Sequence, residues 1–296
     1  MTALRIFLIT AVLLTTSHAA ASGDVYTGLN VYKPTVSKWN TAIQQVNFDS
    51  VSWIWNLEKP DKKHKNGNRD TILMVPNSAI PDDITLVVWF HGLGGFNKKT
   101  FSKRILPQVE NVVDNGNSVA IAIPEMPWSI NTTTPRKRQG QVWKKSGELE
   151  RYVDSLKEHL EIWALIKHGS TLGSVRIIFV GHSAGGSAIM SASKEAGLCR
   201  LKPEAVVFSD ASYGYWLDKT WSSCVKDLDT KLHVLVRKWD KPHKNAERVY
   251  KKYKRAHPQS KLKVDLRYQV LDRRKWTHSK IGNSVFKLTD LFPPGC

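Results

Sequence analysis

The sequence predicts an α/β fold with a mostly parallel sheet and helices on both faces. From residue 84 onward, short apolar runs typical of strands alternate with segments of helical character. The run over residues 84–90 is apolar almost throughout, as expected for a strand buried on both faces. Upstream, strand-like runs follow one another without intervening helices. They predict an antiparallel edge.

Strands and helices can be assigned in order from composition and periodicity. Strands are expected at residues 42–48, 50–57, 71–75, 84–90, 118–123, 175–180, 205–208, 231–236 and 263–271. Helices are expected at residues 98–113, broken near Pro107, and at 148–167, 187–196, 245–257 and 281–291. The helix over 148–167 has the clearest apolar spacing and ends at Gly169. Residues 124–147 predict a long loop.

The first residues predict a cleaved leader. Residues 1–5 form a short basic start, residues 6–14 are apolar, and residues 15–21 supply small side chains for cleavage after Ala19 or Ala21. The apolar run is too short for a membrane anchor, which needs about 20 residues, and no later run is long enough. We therefore expect a secreted or periplasmic protein.

The remaining chain predicts one domain. Residues 22–296 suit a single α/β unit with its core at about 70–296, after a signal peptide at 1–21. No internal repeat or low-complexity segment divides it.

The charge of the chain is strongly positive. The formal net charge is +18 at pH 7, and the basic residues cluster at 62–65, 136–138, 251–255 and 273–275. Such a balance favours an anionic surface, an acidic polysaccharide or lipid head groups. The absence of a nucleic-acid motif from the sequence disfavours a nucleic-acid function.

Three cysteines occur, all in the last third of the chain. In an oxidising compartment Cys199 and Cys224 could form a disulfide and leave Cys296 unpaired, although three cysteines allow three single bridges. Their spacing matches no zinc motif, and we expect no metal.

The hexapeptide Gly181–Gly186, GHSAGG, carries the strongest chemical signal. A strand-like run precedes it and a helix-like run follows it. Strand, G-x-S-x-G and helix in succession place a serine on a sharp turn with its hydroxyl exposed above a sheet. Ser183 is therefore a candidate nucleophile, the alternative being a plain strand–helix turn.

A serine nucleophile needs a histidine base and a carboxylate that orients it. His278 follows the last predicted strand and is the candidate base. Asp240 and Asp210 each follow an earlier strand and fit the order Ser, Asp, His. The order of strands favours Asp240, with Asp210 the alternative and Asp272 a distant third.

The reaction also needs two backbone N–H donors that bind the oxyanion. Ala184, directly after the serine, can supply one donor. The other is expected from Leu93, in the glycine-rich loop His91–Gly95 after the predicted strand over 84–90. A merely flexible turn is the alternative for that loop.

Together these motifs resemble the α/β-hydrolase superfamily over roughly residue 70 to the end. The resemblance rests on residues 89–95 (WFHGLGG), the GHSAGG hexapeptide, an aspartate after a late strand, and residues 276–279 (WTHS). It implies a sheet of about eight strands and acyl transfer without a cofactor. The segment between Asp210 and Lys231, where many relatives insert a lid, is short here, although the loop over 124–147 could cover the site.

The sequence thus predicts a secreted serine hydrolase that cleaves a small-molecule or polymer-linked ester, on an anionic or envelope-associated substrate. An acyltransferase or a peptidase on the same fold is an alternative. A non-catalytic polyanion-binding protein with this fold is another. Loop aromatics near the expected site could stack on a sugar or acyl chain, or could pack as surface anchors: Trp128, Trp143, Tyr213, Tyr215, Trp216 and Trp221. Asn131 begins a glycosylation acceptor pattern.

Overall fold

A computed structural model describes residues 48–56, 68–92, 101–125, 143–257 and 262–292. These residues belong to one compact unit of the chain, residues 32–296. Several predicted features lie outside the described residues: the leader at 1–21, nearly all of the strand at 42–48, Leu93, Trp128, Asn131 and Cys296.

The described strands form one sheet in the order β1-β2-β4-β3-β5-β6-β7-β8. Their bounds are β1 Phe48–Asn56, β2 Asn68–Pro76, β3 Asp83–Phe90, β4 Val119–Pro124, β5 Ser174–His182, β6 Ala205–Ser209, β7 Lys231–Arg237 and β8 Asp265–Leu271. β2 pairs antiparallel with β1 and with β4, whereas all other neighbours are parallel. The predicted α/β class and its antiparallel edge are confirmed.

Helices connect the parallel strands. They are α1 Leu106–Asp114, α2 Glu148–His168, α3 Gly186–Lys194, α4 Gly197–Arg200, α5 Trp216–Ser223, α6 Lys241–Ala256, α7 His278–Gly282 and α8 Val285–Leu288. Short turns of other helical types cover Phe101–Ile105, Ser183–Gly185 and Val225–Asp227. Two expectations were wrong: α5 lies where a loop was predicted, and the final helix is two short helices.

Helices cover both faces of the sheet, as the alternation predicted. Successive side chains of a strand point to opposite faces, so one strand supplies both cores. On one face, Trp89 packs edge-on against Phe286 of α8 at 5.9 Å between ring centroids. On the other face, Phe90 stacks on Phe179 of β5 and contacts Trp143. These large buried side chains hold the carboxyl end of β3 in a fixed position.

Cys199 and Cys224 form a disulfide that joins α4 to the end of α5, with 6.1 Å between their Cα atoms. It is one of the three single bridges that the sequence allows. It closes a segment that includes β6 and the loop after it.

None of the described helices is both long and apolar enough to cross a membrane.

Candidate active site

Ser183 lies on a sharp turn between β5 and α3. β5 ends at His182, a short 3₁₀ turn covers Ser183–Gly185, and α3 begins at Gly186. The φ angle of Ser183 is 54°, in the left-handed region that L-residues with a side chain rarely adopt. Strain of this kind persists only where the surroundings enforce it, and it clusters at functional sites. The predicted strand–serine–helix arrangement is present.

Close backbone contact explains the glycines around this turn. A Cβ on Gly185 would overlap the carbonyl oxygen of Phe90, at the end of β3. A Cβ on Gly92, in the loop after β3, would lie 3.0 Å from the Cβ of Ser183. The turn therefore packs closely against the end of β3, and the start of the glycine-rich loop lies beside Ser183.

His278 contacts Asp210. The Nδ1 atom of His278 lies 2.7 Å from Oδ2 of Asp210. The Asp210 side chain is 2% exposed and that of His278 is 34% exposed, so the carboxylate is buried while the imidazole reaches solvent. His278 is the first residue of α7, after Thr277, whose hydroxyl caps the helix by accepting the N–H of Lys280.

The protein positions Asp210 tightly at the end of β6. The φ angle of Asp210 is 46°, and its N–H donates to the carbonyl of Leu235 in β7 at 2.8 Å. Its Oδ1 accepts the N–H of Arg237 at 3.4 Å. A buried carboxylate with these partners is suited to hold an imidazole in one orientation.

Asp240, which the sequence favoured, is not the aspartate that contacts His278. Its carboxylate pairs with the guanidinium of Arg237, three residues earlier, and Asp240 directly precedes α6. The expectation that Asp240 rather than Asp210 contacts His278 was therefore wrong. Asp272, the third candidate, accepts the N–H of Arg274 at 2.9 Å and acts as a turn residue.

His182 packs against His278, a contact that no motif in the sequence predicts. Its ring stacks on that of His278 with 4.7 Å between centroids. Its Nδ1 lies 3.1 Å from the carbonyl oxygen of Ser209, to which an Nδ1–H would donate. Burial above all, then the charge that His278 carries when protonated and the charge of Arg104, hold the pKa of His182 well below 6.5. His182 therefore remains neutral and does not compete as a base near neutral pH.

Gln108 of α1 fixes the helices that follow His278. Its amide Nε2 donates to the carbonyl of Gly282 at 2.9 Å, and its Oε1 accepts the N–H of Phe286 at 3.2 Å. One buried side chain thus joins α1 to α7 and α8. The imidazole of His278 is held on a packed element rather than on a free loop.

The loop aromatics divide into two groups. Trp143 and Trp221 are buried in the protein core at 1% and 5% exposure, so neither is available to bind a sugar or acyl chain. Tyr213 is partly buried, and burial together with the charge of Asp210 raises its pKa. Tyr215 is 61% exposed.

The expected oxyanion donors are described only in part. Ala184 follows Ser183 as the second residue of the buried 3₁₀ turn. Leu93 lies outside the described residues, so the oxyanion hole stays a prediction. Among the described residues, no group of three or more metal-ligating side chains lies close enough to hold an ion.

The comparison with solved structures identifies the fold. A serine-to-alanine variant of the esterase Est22 superposes with a TM-score of 0.52 and 11% identity, covering 82% of this chain and 77% of that chain. The chain has an α/β-hydrolase fold. The unaltered esterase Est22 gives a TM-score of 0.50 at 12% identity, covering 78% of this chain and 73% of that one.

An IroE-like serine hydrolase from Shewanella oneidensis gives a TM-score of 0.47 at 15% identity, covering 80% of this chain and 78% of that chain. No protein-family model matches the sequence, and no curated protein matches it either. The two Est22 structures, with TM-scores of 0.50 and 0.52, confirm the α/β-hydrolase resemblance for the fold alone.

Proposed function

We propose that this protein is a serine hydrolase that cleaves a carboxylic ester, with Ser183 as nucleophile, His278 as base and Asp210 as the orienting carboxylate. The contact between His278 and the buried Asp210, beside a serine on a strained turn, carries the proposal. The α/β-hydrolase fold shared with Est22 supports it as an analogy.

The arrangement supports acyl transfer in two steps. Asp210 accepts a hydrogen bond from Nδ1–H of His278, which leaves Nε2 unprotonated and able to accept the proton of Ser183. The serine oxygen attacks the ester carbonyl, and the proton then passes from Nε2 to the departing alkoxide. Water attacks the acyl-enzyme by the same route and releases the acid.

Two backbone N–H groups, those of Leu93 and Ala184, are proposed to bind the oxyanion of the tetrahedral intermediate. Gly92, the residue before Leu93 in the sequence, lies directly against Ser183. Donors of this kind contribute much of the catalysis, because they point at charge that develops only in the transition state. The mechanism needs no cofactor and no metal.

Turnover of simple esters tests this function. We expect folded wild-type protein to hydrolyse short p-nitrophenyl esters, and Ser183→Ala to lose at least about 10³-fold in kcat, because no other group supplies the nucleophile. Ser187→Ala is the matched control, since Ser187 lies one helical turn away and its hydroxyl bonds the carbonyl of Ala184. Equal turnover by Ser183→Ala and wild type would overturn the proposal.

The basic surface suggests where the enzyme acts. α6 exposes Lys241, Lys244, Lys251, Lys252, Lys254 and Arg255. Beside its start, Trp239 is 63% exposed and has Lys238 over its ring at 4.8 Å. Since β7 leads into this loop, Trp239 lies at the carboxyl edge of the sheet, as do Ser183 and Asp210. We propose that Trp239 and the basic residues of α6 bind an anionic surface or polysaccharide. We also propose that the leader predicted from the sequence directs the protein out of the cytoplasm.

A non-catalytic polyanion-binding protein is the second candidate, and the same basic face favours it. Comparing the wild type with Ser183→Ala in vesicle adsorption and in ester turnover distinguishes the two functions. If the protein only binds, the wild type and the variant adsorb equally to vesicles with an anionic phospholipid, and neither turns over any ester. If it is an esterase that docks, adsorption survives the substitution and turnover does not.

A further inference from the structure

Arg104 contacts the residue that directly follows the candidate base. It lies in the turn Phe101–Ile105, just before α1. Its Nη2 is 3.5 Å from Oγ of Ser279, the residue that directly follows His278. The positive charge of Arg104 also contributes to lowering the pKa of His182, whose ring stacks on His278. The guanidinium therefore lies next to α7, the helix that begins with His278.

This guanidinium is half-buried and has no acidic partner among the described residues. Burial lowers the pKa of Arg104 from its ordinary value. Several other arginines of the described part pair with carboxylates, among them Arg237 with Asp240 and Arg200 with Glu150. A charge taken partly out of water is costly unless an opposite charge or good hydrogen bonds compensate.

We propose that Arg104 binds an anionic group of the substrate, a carboxylate or a phosphate, beside the ester that Ser183 attacks. The inference rests on the proposed function and specifies its substrate class: esters that carry a negative charge a few atoms from the scissile carbonyl. Guanidinium suits this role because its planar donors match two oxygens of a carboxylate or phosphate at once.

A purely positioning role for Arg104 makes a different prediction. If its contact with Ser279 only held α7 in place, removing the guanidinium would slow every ester equally, through His278. If Arg104 binds substrate, its removal changes the preference between charged and neutral esters. The ratio of kcat/KM values for two esters of equal length therefore separates the two roles.

The test compares mono-p-nitrophenyl glutarate with p-nitrophenyl pentanoate, which share leaving group and chain length and differ in the terminal carboxylate. For Arg104→Gln, we expect the ratio of kcat/KM values, charged over neutral, to fall about tenfold or more, as for loss of a charge-assisted hydrogen bond. Arg104→Lys should keep part of the preference, because the charge remains and the planar fork is lost.

Two matched controls define the outcome. Lys103→Gln removes an equal charge from the exposed neighbour of Arg104, and Ser279→Ala removes the contact to α7 while keeping the guanidinium; both should leave the ratio as in wild type. Glutarate and inorganic phosphate should each inhibit the wild type, and both should lose this effect in Arg104→Gln. The stronger inhibitor shows which oxyanion the site prefers.

A ratio unchanged in Arg104→Gln, or lowered equally in Lys103→Gln, would overturn the inference while the esterase function stands. Failure of the folded wild type to turn over either ester would overturn the proposed function, and this inference with it. Thermal denaturation of each variant confirms that the ratios come from folded protein.

Discussion

Nδ1 of His278 lies 2.7 Å from Oδ2 of Asp210, although the two residues are 68 positions apart in the chain. The contact forms because Asp210 directly follows β6 at the carboxyl edge of the sheet and α7 begins with His278 at that same edge. A buried carboxylate beneath a half-exposed imidazole gives the ring one defined tautomer.

Replacing each candidate acid with asparagine shows which of the two orients His278. Asp210→Asn should lower kcat by about 10³- to 10⁴-fold, because an amide cannot hold and stabilise the imidazolium as the carboxylate does. Asp240→Asn should retain activity within about tenfold, since it loses only a partly exposed pair with Arg237. Kinetics on one p-nitrophenyl ester measure both, and a larger loss in Asp240→Asn would reverse our assignment.

Fold class was predictable from the sequence because strand-like and helix-like runs alternate strictly after residue 84. Element boundaries were less so. α5 carries Trp216 and Trp221, whose aromatic composition resembles a loop at the mouth of the site, yet Trp221 is buried against neighbouring elements. The predicted last helix is interrupted between Gly282 and Ser284. The sequence signal for this interruption is weak, because it depends on the packing of α7 and α8.

At the site, Ser183 and His278 were predictable because each occupies a recognisable place in the order of strands. The acid was not, since Asp210 and Asp240 follow adjacent parallel strands, and both fit the order. Tertiary structure decides between them. Arg237, three residues before Asp240, neutralises that carboxylate locally, a pairing that the sequence alone could have suggested. The support from His182 depends on ring stacking, for which the sequence carries no signal.

The close packing of the serine turn predicts a strong effect of one added methyl group. Gly185→Ala should lower the free energy of unfolding by about 2 to 3 kcal/mol, because the new Cβ overlaps the backbone of Phe90. Gly169→Ala is the control: its φ is +62° with no atom within 4 Å of an added Cβ, so it should cost about 1 kcal/mol. Urea denaturation measures both. Equal losses would contradict the packing argument.

Buried histidines predict that acid destabilises the protein. Burial, chiefly, lowers the pKa of His91 and of His233 from 6.5 to about 4. Between pH 6.5 and 4 the unfolded chain therefore binds protons that the folded chain does not, so stability falls as pH falls, by about 1.4 kcal/mol per pH unit for each histidine.

His233→Gln tests this linkage. Its free energy of unfolding should depend on pH less steeply than that of wild type by about 1.4 kcal/mol per pH unit between pH 6.5 and 4. Urea unfolding at pH 7, 6 and 5 gives both slopes, with the value at pH 7 correcting for lost packing. Parallel slopes for the two proteins would show that His233 does not titrate as its burial requires.

The disulfide predicts a third stability effect. Replacing both Cys199 and Cys224 with serine should lower the free energy of unfolding by about 3 kcal/mol, because the bridge spans a sequence separation of 25 and restricts the unfolded chain. The loss should appear as a lower midpoint in urea, while Cys296→Ser leaves the midpoint unchanged. If the double variant and wild type share a midpoint, the bridge does not stabilise the domain.

If Ser183 is a nucleophile that its surroundings activate, it should react covalently with a fluorophosphonate. Intact-mass spectrometry of folded wild-type protein should show one adduct, and peptide mapping should place it on Ser183. Ser183→Ala should stay unlabelled, and Asp210→Asn should react far more slowly. No adduct on the folded wild type, or an adduct on another residue, would show that Ser183 is not the activated nucleophile.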